Sequence, residues 1–199
     1  MKHIFQKGMS KRTLLLLHGT GGTEEDLLPL ANLLDNKANI LSVRGNVLEN
    51  GMPRFFKRLA EGVFDEEDLI FRTKELNDFI SYAEKEYEIS RADMTAVGYS
   101  NGANIAGSLL FHFEQPFKAA ILHQPMVPKR GIRLPKLTGL PVFIGAGTND
   151  PICSPSESEE LAKLLQSANA NVTLHWADHG HQLTHSEVEA AAQWYKKII

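Results

Sequence analysis

Short runs of nearly uninterrupted apolar residues recur along this chain, and segments of helical pattern separate them. That alternation constrains the fold more than any other feature. Strands are expected at residues 3–6, 13–17, 39–43, 94–97, 118–122, 141–145 and 172–176, and helices at 24–34, 67–87, 101–113, 155–168 and 186–197. A strand that is apolar at successive positions has to be covered on both faces, as in a parallel sheet. Strands alternating with helices imply an α/β architecture, a mainly parallel central sheet with helices on both faces. At 199 residues the chain suits a single domain, 1–199, and no repeat or Gly/Ser-rich linker divides it. In such sheets functional groups collect beyond the carboxyl ends of the strands.

Four segments at those positions carry chemistry-bearing residues. In "MTAVGYSNGANIA", Ser100 stands between Gly98 and Gly102 at a strand-to-helix turn. A turn this sharp needs small neighbours and lifts the serine hydroxyl clear of the sheet. It also leaves the Asn101 amide unpaired at a helix N-terminus, able to donate to an oxyanion. The plainer reading is a Gly-rich turn with a capping serine. In "TLLLLHGTGGTEEDL", a strand ends in a loop that supplies a second oxyanion amide, from Thr20, while His18 braces the loop. In "LPVFIGAGTNDPICSP", Asp150 follows a strand and is placed to orient a histidine, or else simply forms an Asp-Pro turn. In "VTLHWADHGHQLTHSEVEAAAQWY", three histidines follow the last strand, and His181, freed by Gly180, is preferred over His179 as a base. A histidine-rich metal site is the competing idea, but it lacks H-E-x-x-H spacing and a carboxylate ligand, so no metal is expected.

Ser100, Asp150 and His181 thus occur in the order Ser…Asp…His, each just past an apolar strand. That order, with an oxyanion loop earlier in the chain, is the one used by α/β-hydrolases. The segments "HGTGG", "GYSNGA", "GTNDP" and "GHQLT" resemble the phospholipase/carboxylesterase branch of that superfamily, to which acyl-protein thioesterases also belong and dienelactone hydrolases are related. "RGNVLENGMPRFFKR" and "LHQPMVP" resemble small bacterial carboxylesterase-like hydrolases associated with hydroquinone or quinone response. Asn101 and Ala103 depart from the Gln and Gly that acyl-protein thioesterases have there. The resemblance implies an α/β-hydrolase fold with a minimal or loop-type lid. It also implies a carboxylesterase-type serine hydrolase, with Ser100 as nucleophile, Asp150 as orienting acid, His181 as base and the Thr20 and Asn101 amides as oxyanion hole. Thioesterase or dienelactone-type hydrolysis is the alternative, as is a ligand receptor without turnover. No cofactor is expected. The resemblance allows a homodimer, for which the sequence specifies no interface.

Residues 44–66 have no clear strand period and several turn residues, with room for a short helix. A connection of this length reads as a lid or substrate loop. Phe55 and Phe56 are expected to form an apolar wall there. Arg44 and Arg54 are expected either to greet an anionic or phenolic group or to pair with Glu49 or the acidic run 65–68. His123 and Met126 are expected to border the pocket or to pack in the core, and Cys153 to be a pocket or core thiol rather than a nucleophile. A net charge of −3 argues against nucleic acid or an anionic membrane surface as partner. Residues 14–17 form too brief an apolar run for a signal peptide, so a cytoplasmic protein is expected, acting on a small-molecule ester.

Overall fold

The computed structural model describes residues 1–199. Seven strands form the central sheet: β1 (His3–Gln6), β2 (Thr13–Leu17), β3 (Asn39–Val43), β8 (Met94–Tyr99), β9 (Ala119–His123), β10 (Pro141–Gly147) and β11 (Asn171–Ala177). Their order across the sheet is β1-β3-β2-β8-β9-β10-β11. Only β1, antiparallel to β3, departs from the parallel direction. The mainly parallel sheet of the expected architecture is therefore present, with the strands close to the positions their apolar runs mark.

The five helices divide between the two faces. Leu15 and Leu17 of β2 join a core with α2 (Glu66–Tyr87), α3 (Asn101–His112) and α4 (Pro155–Ser167). Leu14 and Leu16 point the other way, into a core with α1 (Leu28–Leu34) and α5 (His185–Ile198). Side chains alternate across a strand, so a strand buried on both faces is apolar at most successive positions, as Leu14 to Leu17 are. The first helix is shorter than expected. Residues 24–27 form turns, because the Glu24 carboxylate is drawn inward to Lys2 and Arg44 and is almost fully buried.

Residues 44–66 hold no helix before α2 begins at Glu66. They fold into two small hairpins, β4 (Val47–Glu49) with β5 (Met52–Arg54) and β6 (Arg58–Ala60) with β7 (Val63–Phe64). Asn50 and Gly51 turn the first hairpin with φ of +51° and +80°. Two positive φ values are those of a type I′ turn, the connection that matches strand twist and that Asn-Gly favours. No large inserted lid covers the sheet.

Candidate active site

Ser100 sits between β8 and α3 with φ +50° and ψ −112°, a strained conformation for a residue with a side chain. Its N–H donates to the His123 carbonyl (2.8 Å), and its own carbonyl accepts from the Asn104 N–H (2.9 Å). The close approach around it demands glycine. A Cβ on Gly102 would lie 1.9 Å from the Leu17 carbonyl oxygen, and one on Gly98 would lie 2.5 Å from that of Gly102.

The turn brings Ser100 Oγ to 2.8 Å from His181 Nε2. On the far side of the ring, His181 Nδ1 lies 2.7 Å from Asp150 Oδ2. The second Asp150 oxygen accepts the backbone N–H groups of Ile152 (2.8 Å) and Cys153 (2.9 Å), which fixes the plane of the carboxylate. With Nδ1–H donating to a fully buried carboxylate, the lone pair of Nε2 is left facing the serine. The Tyr99 hydroxyl donates to the His181 carbonyl (2.7 Å) and steadies the loop. Burial, with Asp150 nearby, pushes the Tyr99 pKa up and keeps it a donor.

Cys153 belongs to the same constellation. The ligand-type atoms of Asp150, Cys153 and His181 all lie within 4.8 Å of one another. Burial foremost, then the carboxylates of Asp150 and Glu157, pushes the thiol well above its ordinary pKa. The thiol donates to the Gln124 carbonyl, 3.4 Å away.

Ser100, Cys153 and His181 open onto a cleft of about 200 Å³ that Thr20, Asn101 and Met126 also line, with Asp150 buried behind the histidine. Other residues expected at the cleft lie elsewhere. Phe55 and Phe56 are buried in the core, because the hairpin packs this stretch inward. Phe64, Tyr99 and Ile152 provide apolar wall in their place. Arg44 binds Glu24 and does not reach the cleft, whereas Arg54 and Arg58 line it and share the carboxylate of Glu49. His123 is fully buried and bonded to Glu187 on α5, so it packs in the core and does not line the cleft. His179 bonds Thr184 (2.7 Å). His18 accepts the Gly45 N–H on Nε2 and contacts the Gly19 carbonyl through Nδ1, and burial lowers its pKa. The Asn50-Gly51 pair was the available signal for the hairpin that carries Arg54. Nothing local marks Glu187, which lies 64 residues from His123.

The sequence model of the "Dienelactone hydrolase family" matches residues 55–197. "Putative hydrolase MhqD" of Bacillus subtilis (strain 168) is 60% identical over 100% of both chains. Among solved structures, the Bacillus cereus carboxylesterase is 67% identical and superposes with a TM-score of 0.98, covering 100% of this chain and 95% of that one. YahD, determined with malic acid, is 31% identical with a TM-score of 0.95, covering 100% and 99%.

Two findings correct the expectation of a carboxylesterase-type serine hydrolase. The matching family is that of the dienelactone hydrolases, which favours the dienelactone-type alternative. Cys153, expected to be a pocket or core thiol rather than a nucleophile, lines the cleft and is clustered with Asp150 and His181, so the site presents a thiol as well as a hydroxyl and "serine esterase" no longer describes it. By its family match and its full-length relatives, the chain belongs to the dienelactone hydrolase family, within the α/β-hydrolase superfamily.

Proposed function

We propose that this protein is a dienelactone-type hydrolase that opens small esters or lactones by acyl transfer in the cleft at the carboxyl end of the sheet. The observation that carries the reading is the His181–Asp150 pair, a base already oriented by a buried carboxylate and aimed into the cleft. His181 takes the proton of the attacking group, returns it to the leaving alkoxide, and then activates water for the second half of the reaction. The amides of Thr20 and Asn101 face the developing oxyanion. The small cleft suits a compact acyl group, and both the matching family and the similarity to the Bacillus cereus carboxylesterase point to ester-type substrates.

Two side chains offer the nucleophile to this pair, each with an observation of its own. Cys153 shares the cluster with Asp150 and His181, and a thiolate is the stronger nucleophile. To attack, however, the thiol has to leave Gln124 and lose a proton that burial holds tightly. Ser100 Oγ is already hydrogen-bonded to Nε2 on a strained turn. Intact-mass and peptide mapping after reaction with a β-lactone separates them. An adduct on Cys153, with turnover lost in Cys153→Ala, makes the thiol the nucleophile. An adduct on Ser100, with turnover lost in Ser100→Ala, makes it the hydroxyl. Turnover that survives both substitutions at the parental rate overturns the acyl-transfer reading.

A further inference from the structure

Three consecutive residues of the β4–β5 hairpin and its exit each hold one of the two loops that carry the oxyanion amides. The Pro53 carbonyl accepts the Gly21 N–H (2.9 Å). Arg54 Nη1 donates to Thr20 Oγ1 (2.7 Å). The Phe55 N–H donates to Asn101 Oδ1 (2.7 Å). The hairpin is itself seated against the first loop, because Gly45 lies so close to it that a Cβ would meet the Arg54 carbonyl at 2.1 Å, while the Gly45 N–H donates to His18. A strap from elsewhere in the chain thus spans both sides of the hole.

Arg54 is the unusual member. Its side chain is 4% exposed, and its one carboxylate partner, Glu49, is 3.4 Å away and shared with Arg58. Burial lowers its pKa, the sign of a cation held in a place that does not favour charge. Taking a guanidinium out of water is costly, and an apolar side chain would fill the space without that cost. Its hydrogen bonds go to the Phe56 carbonyl (3.1 Å), which stiffens the strap, and to the hydroxyl of Thr20. Thr20 is exposed at a turn, beside Gly21 at φ +82°, and its side chain makes no other hydrogen bond.

We propose that Arg54 is a positioning residue for acyl transfer: by gripping Thr20 Oγ1 it holds the Thr20 amide on the oxyanion, while Pro53 and Phe55 fix the two halves of the hole relative to each other. This rests on the reading that the Thr20 and Asn101 amides receive the oxyanion. A donor acts only if it is already in place when charge develops, and a displacement of about 1 Å costs on the order of 10²-fold in rate.

The test compares Arg54→Met, Thr20→Val and the double variant on p-nitrophenyl acetate and on p-nitrophenyl hemisuccinate. The expected result is a fall in kcat of about 10–100-fold on the neutral ester in each single variant, with KM changed by less than about threefold. The double variant is expected to lose no more than about twofold beyond the worse single, since both substitutions break one contact. A double loss equal to the product of the singles overturns the proposal. So does a loss confined to KM for the hemisuccinate, which would make Arg54 an anchor for a substrate carboxylate. If Arg54→Met does not fold, Thr20→Val at its exposed site decides alone: a tenfold lower kcat supports the grip, and a parental kcat overturns it. The parental protein is assayed first; if it hydrolyses neither ester nor a lactone, the hydrolase reading itself fails, and the proposal with it.

Discussion

Replacing Asp150 by asparagine changes one atom of the site and reverses what it does. The Asp150 oxygen that accepts from Ile152 and Cys153 can be retained as the carboxamide oxygen, so both amides keep their partner. The NH₂ group then faces His181 Nδ1, where a carboxylate oxygen now lies at 2.7 Å. A donor at that point requires Nδ1 to accept, which places the ring proton on Nε2, the atom that has to take a proton from the nucleophile. The expected consequence is a fall in kcat of about 10⁴ at neutral pH, whichever of Ser100 or Cys153 attacks. Stability changes little: a charge-assisted bond becomes a neutral one, worth about 1 kcal/mol, so Tm drops by about 2–4 °C. Asp150→Ala is the contrast, since it also strips the partner from the buried Cys153 amide, at about 1–3 kcal/mol more, or about 2–12 °C in Tm. Initial rates on p-nitrophenyl acetate, paired with thermal melts, separate the two effects. An Asp150→Asn protein that melts like the parent yet turns over within tenfold of it would refute the assignment of His181 as a base tuned by Asp150.

Three further outcomes follow from the packing. Burial alone would raise the Glu24 pKa, but its backbone hydrogen bond, Lys2 and Arg44 outweigh it and hold the carboxyl at about 2. A depressed folded-state value stabilises above the unfolded value, so this contribution, roughly 2–3 kcal/mol, is present above about pH 5 and lost on acidification toward pH 2. Urea titrations of Glu24→Gln should show it less stable at pH 7, with the gap about halved near pH 3 and closing only as the pH falls toward 2; parallel curves throughout would contradict this. Gly102→Ala puts a Cβ 1.9 Å from backbone and should cost about 3 kcal/mol or more, read as a Tm lower by about 6–12 °C with reduced turnover, because α3 has to move away from β2. Gly51→Ala meets no atom within 4 Å and strains only its positive φ, so about 1 kcal/mol in the same melts is expected; a larger effect would mean the hairpin tip is packed.

What could be read from the chain and what could not divides by the range of the interaction responsible. Leu14 to Leu17 announce a strand because burial on two faces leaves no polar position, a property written into adjacent residues. Ser100, Asp150 and His181 were legible for a related reason, since a parallel sheet delivers every strand end to one edge and their order along the chain becomes proximity in space. Residues whose partners lie across the fold gave no such signal. Phe55 and Phe56 look like wall residues of a loop, and only the hairpin's packing turns them into the core. Arg44 and Arg54 are alike in sequence, but Glu24 claims one and the other is left in the cleft. His123 stands just past a strand end, where chemistry is expected, and Glu187 on α5 takes it out of reach.

The same distinction bears on Cys153. In the sequence Cys153 lies three residues after Asp150 and reads as a pocket or core thiol rather than a nucleophile. Yet the Asp150 carboxylate that orients His181 also binds the Cys153 amide, so one residue sets the geometry of base and thiol together. A substitution at Asp150 therefore perturbs both nucleophile-type groups at once, whereas Ser100→Ala and Cys153→Ala each remove one and leave the other's contacts standing. For that reason the nucleophile is to be assigned by substituting Ser100 and Cys153 themselves, with Asp150→Asn reserved for the base they share.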